Sequence, residues 1–279
     1  MVDVADRKAL ARDWFAGERF DAVVSCMASR TGVPADAGAV DFRAQMNVLE
    51  APQAATVGHF ILLSAICAQK PKLAFQHAKL KFEAELVGSG MLYSIVRPTA
   101  FFKSLSGQID RVRRGKPFLI FGDGKLTACK PISDRDLVAY LVDCIADEKR
   151  WNAVLPIGGP GPAITPREQG EALFAMLGRK PKFRSVPAGL LIAVARMLGA
   201  LGRVIPALVA RAELARIGHY HATESMLVLD PRTGRYDAGA TPSTGRDSLL
   251  EHYRTRLAGA AADVVPGDQP GRNEKRPGH

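Results

Sequence analysis

The chain has 279 residues, of which 47% are hydrophobic and 24% charged, and it carries a formal net charge of +10 at pH 7. These values are ordinary for a soluble globular protein with one large domain, or with one domain and a smaller partner. The positive charge favours an anionic ligand. However, no basic run is interleaved with aromatic residues, which make up only 7% of the chain. Nucleic acid is therefore not an expected partner.

The cysteines are dispersed along the chain and form no Cys-x-x-Cys pair. They are Cys26, Cys67, Cys129 and Cys144. No apolar secretory segment opens the sequence, so we expect free thiols in the reducing cytoplasm. The histidines show no i,i+4 pairing of the kind that binds zinc on a helix, and no metal site is expected.

Short apolar segments alternate with helical patterns in the first hundred residues. A helix is expected over residues 6–15. The following segments predict strands at 21–26, 60–64 and 93–96, separated by helices at 41–55 and 73–87. Short apolar strands that alternate with helices are typical of a parallel sheet covered by helices on both faces.

The pattern changes after Pro98. The glycine-containing turn at 122–125 lies between two short apolar segments, which predicts a β-hairpin over 118–129. Ser133 is placed to cap a helix that runs to about residue 145, and a strand is expected at 154–157. Thr165-Pro166 with Glu168 predicts the start of another helix. The last segment, 263–279, is rich in proline, glycine and charge, and is expected to be disordered.

A long apolar stretch covers residues 186–214. Arg196, Arg203 and Arg211 interrupt it and Pro206 breaks it, whereas a membrane-spanning helix needs about twenty apolar residues without mid-span arginines. We therefore expect one or two amphipathic helices that pack on the sheet domain and cover its carboxyl edge as part of the ligand pocket, with the arginines turned outward. The alternative is an exposed apolar face that contacts a large flat ligand or a membrane surface.

One constellation resembles the active site of short-chain dehydrogenase/reductases. In those enzymes a serine follows a strand, and a Tyr-x-x-x-Lys motif on the next helix supplies a proton donor and a lysine that binds the nicotinamide ribose. Here Ser64 follows the strand at 60–64, and the motif occurs as Phe75-Gln76-His77-Ala78-Lys79. Because Phe75 has no proton to donate, the resemblance implies nicotinamide binding without the usual carbonyl chemistry.

Several linked segments extend the resemblance to one atypical family, the divinyl chlorophyllide 8-vinyl-reductases. The segments lie at 64–83, 95–105, 121–133, 155–161 and 224–231, and the resemblance covers about residues 21–245. It implies NADPH-dependent reduction of the 8-vinyl group of a tetrapyrrole, divinyl chlorophyllide or a close precursor, to ethyl in chlorophyll or bacteriochlorophyll biosynthesis. It also implies a protein of the cytoplasm that attaches peripherally to the photosynthetic membrane.

The fold implied is an α/β protein with a Rossmann-like parallel sheet and a smaller, mostly helical C-terminal substrate domain. Residues 1–154 would form the dinucleotide-binding domain, and 155–262 the substrate-binding region with the apolar helices. One feature departs from the pattern, because such folds open with a Gly-x-x-Gly-x-x-Gly turn that holds the pyrophosphate. No such turn occurs in this sequence. We therefore expect an N-terminally incomplete sheet, from a truncated chain, with an open hydrophobic edge at Val23-Val24.

The same resemblance assigns the cofactor-binding residues. Lys79 would bond the ribose hydroxyls and act with Ser64 in catalysis. The alternatives are a solvated helix lysine, like Lys81, and a serine that ends its strand with a local hydrogen bond. Arg97, Pro98 and Thr99 close a strand at the carboxyl edge of the sheet and would face the nicotinamide.

Further residues complete the predicted site. Ser25 and Ala28 would lie against the adenosine half of the cofactor. Phe75 is expected to be a wall of the substrate pocket, together with Phe101, Phe102 and Lys103. A role for Lys103, Lys125 or Lys130 in receiving a carboxylate or phosphate is a weaker expectation.

Two other functions remain open from the sequence. One is a non-catalytic dinucleotide-fold subunit or assembly factor that lost the glycine loop, and the other is a reductase that acts on a quinone-like or phenylpropanoid substrate. The proton that completes the reduction could come from water, Lys79, Ser64 or another acid. The sequence also leaves open the oligomeric state and the preferred tetrapyrrole.

Overall fold

The computed structural model describes residues 20–55 and 57–262. The helix expected at 6–15 and the tail expected at 263–279 lie outside these ranges. The strands are β1 (Ala22–Ser25), β2 (His59–Leu63), β3 (Leu92–Pro98), β4 (Phe118–Phe121), β5 (Ala153–Ile157), β6 (Phe183–Val186), β7 (Val228–Leu229) and β8 (Tyr236–Asp237). The helices are α1 (Pro34–Ala37), α2 (Gln45–Ala55), α3 (Ala74–Gly88), α4 (Phe102–Leu105), α5 (Ile109–Arg113), α6 (Asp134–Asp143), α7 (Pro166–Met176), α8 (Ala188–Leu201), α9 (Ala207–Thr223) and α10 (Leu249–Ala262).

The main sheet has four strands in the order β1-β2-β3-β5, and every pair is parallel. In the described residues β1 lies at the edge of this sheet, and its Val24 is exposed. The expected parallel sheet is thus confirmed. Its fourth strand, β5, crosses the predicted domain boundary at residues 154 and 155, so the sheet itself extends to Ile157.

Helices cover both faces of the sheet because successive side chains of a strand point to opposite faces. Phe60 and Leu62 of β2 pack with residues of α2 and α3, including Phe82, on one face. Ile61, between them, packs on the other face with residues of α6, including Leu137. This arrangement leaves the carboxyl ends of β1, β2 and β3 at one edge of the sheet.

The helical segment before β2 begins earlier than predicted. It starts at α1 with Pro34 in its first turn, where the missing N–H of proline has no cost, and it runs on to Ala55. Between α1 and α2 lies a π-helical stretch, Gly38–Ala44. Such stretches are rare and occur frequently at functional sites. This one contains Asp41, a buried carboxylate.

The hairpin predicted over 118–129 is wrong. Gly122 and Gly124 do form a turn with positive φ angles of 58° and 77°. The chain then leaves β4, because the backbone of Cys129 pairs with Ile164 and Met226 instead. β4 pairs in parallel with β6, a strand that the sequence pattern did not predict. Around this two-stranded sheet lies a second core, which includes Phe102, Phe118, Phe174 and Tyr253.

Two predicted helix starts are confirmed. Ser133 caps α6, and its hydroxyl accepts a hydrogen bond from the Asp136 N–H at 3.0 Å. Thr165 caps α7, where its hydroxyl accepts from the Glu168 N–H while the Glu168 carboxylate accepts from the Thr165 N–H. Each such cap contributes roughly 1 kcal/mol to stability.

The apolar stretch at 186–214 forms two helices, α8 and α9, that pack against each other, and Pro206 lies at the break between them. Arg196, Arg203 and Arg211 are exposed, as expected. Within residues 20–55 and 57–262, every helix falls short of the length or the apolar character that a bilayer crossing needs.

Candidate functional site

A cavity of about 450 Å³ lies at the carboxyl edge of the main sheet. Its wall comes from the segments that follow β2 and β3, from the first turn of α3, from residues 127–129, from the start of α7 with Ile164, and from the last turn of α9 with the segment after it. The lining includes Cys67, Phe75, Pro98, Thr99 and Glu224. Its volume and its mostly apolar lining are typical of a pocket for a small molecule, and the carboxyl edge is where open parallel sheets bind their ligands.

Phe75 lines this cavity at the start of α3. It packs with Cys67, Ile217 and Tyr220, so α9 closes over the segment after β2. Gly32 lies against Ile217 and Phe75 and has a φ of +69°. A Cβ atom at this position would lie 2.8 Å from Ile217 Cδ1. The positive φ favours glycine here, and a side chain at this position would be strained and would displace the end of Ile217.

Lys79 lies one helical turn after Phe75 and is buried. Its Nζ atom is 3.0 Å from Oδ1 of Asp41, and both Asp41 oxygens accept the Ser29 N–H at 3.3 Å. Lys81 differs, because it is exposed and its Nζ lies 4.0 Å from the centre of the Phe42 ring. Lys79 is therefore not a solvated helix lysine. An ammonium group has three N–H donors, so Lys79 retains the capacity to bond a ligand hydroxyl.

Asp41 was missed by the sequence reasoning. It precedes Ala44 by three residues and Val48 by seven, and both of these are buried. An acidic residue on the apolar face of a helix needs a cationic partner, because an isolated charge in the interior is strongly disfavoured. The position of Asp41 on the apolar face of its helix was therefore the signal in the sequence for a buried ion pair, and Lys79 is its cationic partner.

Ser64 and Arg97 meet at a second buried carboxylate, Glu83 of α3. The Ser64 hydroxyl donates to Glu83 Oε1 at 2.5 Å, and Arg97 donates through Nε to Oε1 at 3.2 Å and through Nη2 to Oε2. Neither Ser64 nor Arg97 is among the residues that line the cavity. The structure thus places both behind the cavity wall, because Glu83 takes their donors.

The other residues predicted to bind cofactor divide between the cavity and its surroundings. Pro98 and Thr99 line the cavity, and the Thr99 N–H donates to the Ile157 carbonyl at 2.9 Å. Ser25 is buried and its hydroxyl donates to Gln45 Oε1 at 2.7 Å, whereas Ala28 is exposed in the loop after β1.

The predicted substrate-pocket residues also divide. Phe75 and Phe101 line the cavity. Phe102 does not, because its ring is buried in the second core beside Phe118. Lys103 is exposed in the first turn of α4 and does not line the cavity either.

The apolar stretch at 186–214 supplies none of the cavity lining, contrary to expectation. The reason is that only the later turns of α9 reach the sheet edge. There the Tyr220 hydroxyl lies 3.0 Å from the carbonyl oxygens of Cys67 and Lys70. The lining from this part of the chain comes from His221, Glu224 and Met226.

Glu224 is the centre of a charged group that the sequence reasoning missed. Its carboxylate accepts from Lys70 Nζ at 2.8 Å, from Lys72 Nζ, and from the Tyr236 hydroxyl at 2.8 Å. Burial acts to raise the pKa of Glu224, but the hydrogen bonds from the two lysines and Tyr236 outweigh it and lower the pKa to about 2. Glu224 is therefore ionised at neutral pH.

The residues present fit the nicotinamide end of a dinucleotide. The Phe75 wall and the backbone around Pro98 and Thr99 line the cavity at the edge where such a ring binds. The buried Lys79 ammonium, held by Asp41, lies one helical turn after Phe75 and is not itself a lining residue. The pyrophosphate end has no glycine-rich turn in this sequence to hold it.

Comparison with known proteins supports the same cofactor class. A family model described as NAD(P)H-binding matches residues 2–148. The fold is similar to an NADPH-dependent quinone oxidoreductase from Escherichia coli solved with NADPH, with a TM-score of 0.65, 17% identity, and coverage of 92% of this chain and 82% of that one. It is also similar to the RMD structure from Pseudomonas aeruginosa solved with NADPH, with a TM-score of 0.62, 15% identity, and coverage of 95% and 88%. The chain is thus an NAD(P)H-binding protein with a Rossmann-like fold.

Closer relatives define the family. The chain is 50% identical over 272 residues to the chloroplastic divinyl chlorophyllide a 8-vinyl-reductase of Zea mays, which covers 96% of this chain and 68% of the relative. It is 52% identical over 254 residues to the Cucumis sativus protein of the same name, which covers 89% and 61%. The chain belongs to the divinyl chlorophyllide a 8-vinyl-reductase family, which confirms the resemblance seen in the sequence. It spans 61–68% of the length of these relatives.

Proposed function

We propose that the protein reduces the 8-vinyl group of divinyl chlorophyllide to ethyl with NADPH. The observation that carries this proposal is the 50% identity to a vinyl reductase across 96% of the chain, which includes every segment that lines the cavity. The apolar cavity at the carboxyl edge supports it, since a tetrapyrrole is a broad and mostly apolar ligand.

The cavity-lining residues and the buried Lys79 beside them have different roles in binding. NADPH, when bound, would supply a hydride to the vinyl group. Lys79, held by Asp41, bonds the nicotinamide ribose, while Pro98 and Thr99 lie against the nicotinamide. Phe75 provides an apolar wall at the position where reductases with a Tyr-x-x-x-Lys motif carry their acid.

We assign the proton that completes the ethyl group to water. The Ser64 hydroxyl donates its hydrogen bond to Glu83, and Lys79 is paired with Asp41. Burial raises the pKa of the cavity-lining thiols of Cys67 and Cys129, that of Cys129 to about 12. The conjugated macrocycle delocalises the developing charge, so a strong acid is less necessary here than for an alkoxide.

The decisive experiment incubates the protein with divinyl chlorophyllide a and NADPH deuterated at the transferred position. We expect a product with two more hydrogens than the substrate, one of them deuterium in the new ethyl group, as seen by mass spectrometry. Reactions without NADPH are the control. Bound NADPH without any conversion would favour the non-catalytic subunit, and reduction of a quinone but not of the vinyl group would favour a quinone-type reductase.

A peripheral attachment to the membrane is part of the proposal. The junction of α8 and α9 and the first half of α9 expose apolar side chains, with Val204 84% and Leu214 67% exposed, and they carry the exposed Arg203 and Arg211. Apolar groups at the headgroup boundary combined with basic groups bind anionic bilayers. The protein should float with anionic vesicles and be released by salt. Binding to neutral vesicles that salt does not reverse would contradict this attachment.

A further inference from the structure

The group around Glu224 has an excess of positive charge. Two ammonium groups, Lys70 and Lys72, contact one carboxylate, and the third partner of that carboxylate, Tyr236, is a neutral hydroxyl. Each ammonium has three N–H donors and gives one of them to Glu224. The lysine side chains are 37% and 52% exposed, so the remaining donors are accessible to a ligand.

This group is part of the cavity border. Glu224 lines the cavity, and its carboxylate holds the two partly exposed lysines, which are not lining residues themselves. We call Glu224 and these two lysines the rim. The segment that carries the lysines is also fixed by Gln69, whose side chain donates to the Leu227 carbonyl at 2.6 Å and accepts from the Leu229 N–H at 2.9 Å. The two cations are therefore held in place before any ligand arrives, which lowers the entropic cost of binding an anion.

The other lysines that could receive an anion are placed differently. Lys130 donates to the Thr241 carbonyl at 2.9 Å and to the Ser243 hydroxyl at 3.3 Å. Lys103 is exposed and lies outside the cavity lining. Lys70 and Lys72 also lie outside the lining, but their ion pairs join them to Glu224, a residue of the cavity wall.

We propose that Lys70 and Lys72 bind the free carboxylate of the tetrapyrrole substrate, and that Glu224 positions them. The inference rests on the proposed function, since a chlorophyllide is a free acid whereas chlorophyll carries an ester at the same side chain. Charge-assisted hydrogen bonds to a carboxylate are about twice as strong as neutral ones. The rim thus selects the acid over its ester, and it orients the macrocycle in the cavity.

A cofactor phosphate fits this group less well. The segment 69–72 is bonded to the C-terminal part of the chain, at Glu224, Leu227 and Leu229. The adenosine half of a dinucleotide is expected on the β1 side of the sheet. Its phosphates would therefore lie away from the two lysines.

The test compares divinyl chlorophyllide a with its methyl ester, by fluorescence titration of the protein in the presence of NADP⁺. We expect the protein to bind the acid about tenfold more tightly than the ester, the size of one hydrogen bond to a charged group. Lys70→Met/Lys72→Met/Glu224→Gln removes the three charges together, so that no buried carboxylate loses its partners. In this variant the preference should fall to about one, while NADPH affinity stays unchanged. Lys103→Met is the matched control and should keep the preference.

Equal binding of acid and ester by the unmodified protein would overturn the inference. So would a preference that survives in the triple variant, or a variant that loses NADPH affinity instead. Because binding is the readout, the outcome is independent of turnover. A protein that prefers the acid through these lysines but reduces neither compound would retain the anion site and refute the proposed reaction.

Discussion

Two sets of charged residues flank the cavity, and they differ in the ratio of positive to negative groups and in solvent exposure. Behind the wall, Asp41 pairs with Lys79 and Glu83 pairs with Arg97, one cation to one anion, and both carboxylates are buried. At the rim, Glu224 is shared by two lysines that remain partly exposed.

The difference follows from solvation and indicates different roles. Buried charges must be neutralised, because an unpaired charge in the interior costs several kcal/mol. Charged groups at the rim can still be hydrated, so an excess of positive charge is tolerated there. These ammonium groups are available to bind a ligand. We therefore expect the buried pairs to maintain the fold and the cofactor edge, and the rim to recognise the substrate.

The largest expected effect comes from breaking the buried pair behind the wall. Arg97→Met removes the cationic partner of the Glu83 carboxylate and leaves it the hydrogen bond from Ser64. We expect the free energy of unfolding, measured by urea denaturation, to fall by about 3 kcal/mol.

Arg135→Met is the matched control for this loss. Arg135 pairs with Asp247, but it is 80% exposed. Exposed pairs contribute about 0–1 kcal/mol, so the control should change stability little. Equal losses in the two variants would show that burial does not distinguish these pairs.

A smaller effect is expected at the cavity wall itself. Phe75→Tyr restores the hydroxyl that reductases with a Tyr-x-x-x-Lys motif use, at a position that lines the cavity. If Phe75 is a wall, the rate of vinyl reduction should stay within about tenfold, or roughly 1.4 kcal/mol in the barrier, and no carbonyl reduction should appear. A large gain in vinyl reduction would indicate that an acid at this position is useful after all.

The sequence predicted the strands of the main sheet but not the ion pairs near the cavity. The strands β1, β2 and β3 and the caps at Ser133 and Thr165 follow from local patterns: apolar runs between helices, and hydroxyl residues three positions before an N–H that they bond. Lys79 was predicted as the cofactor-binding lysine because its spacing from Ser64 and Phe75 is local too.

What the sequence could not predict depends on contacts between distant residues. Asp41 and Lys79 are 38 positions apart, by their numbers 41 and 79, and Lys70 and Glu224 are separated by 154. The pairing of β4 with β6 was not predicted for the same reason. β4 pairs with a strand far along the chain rather than with the segment across the adjacent turn. Phe102 was wrongly predicted to line the substrate pocket. It follows the cavity-lining Phe101 in the sequence, but its own side chain is buried in the second core.

The central claim is that the buried Lys79, and not a neighbouring surface lysine, holds the cofactor. The most direct measurement is an NADPH titration of Lys79→Ala and Lys81→Ala, together with Asp41→Asn/Lys79→Met, in which no buried charge is left unpaired. We expect both variants at position 79 to raise the Kd for NADPH by about tenfold or more, at roughly 1.4 kcal/mol per tenfold, and Lys81→Ala to leave it nearly unchanged. Equal, small changes in all three folded variants would contradict the account.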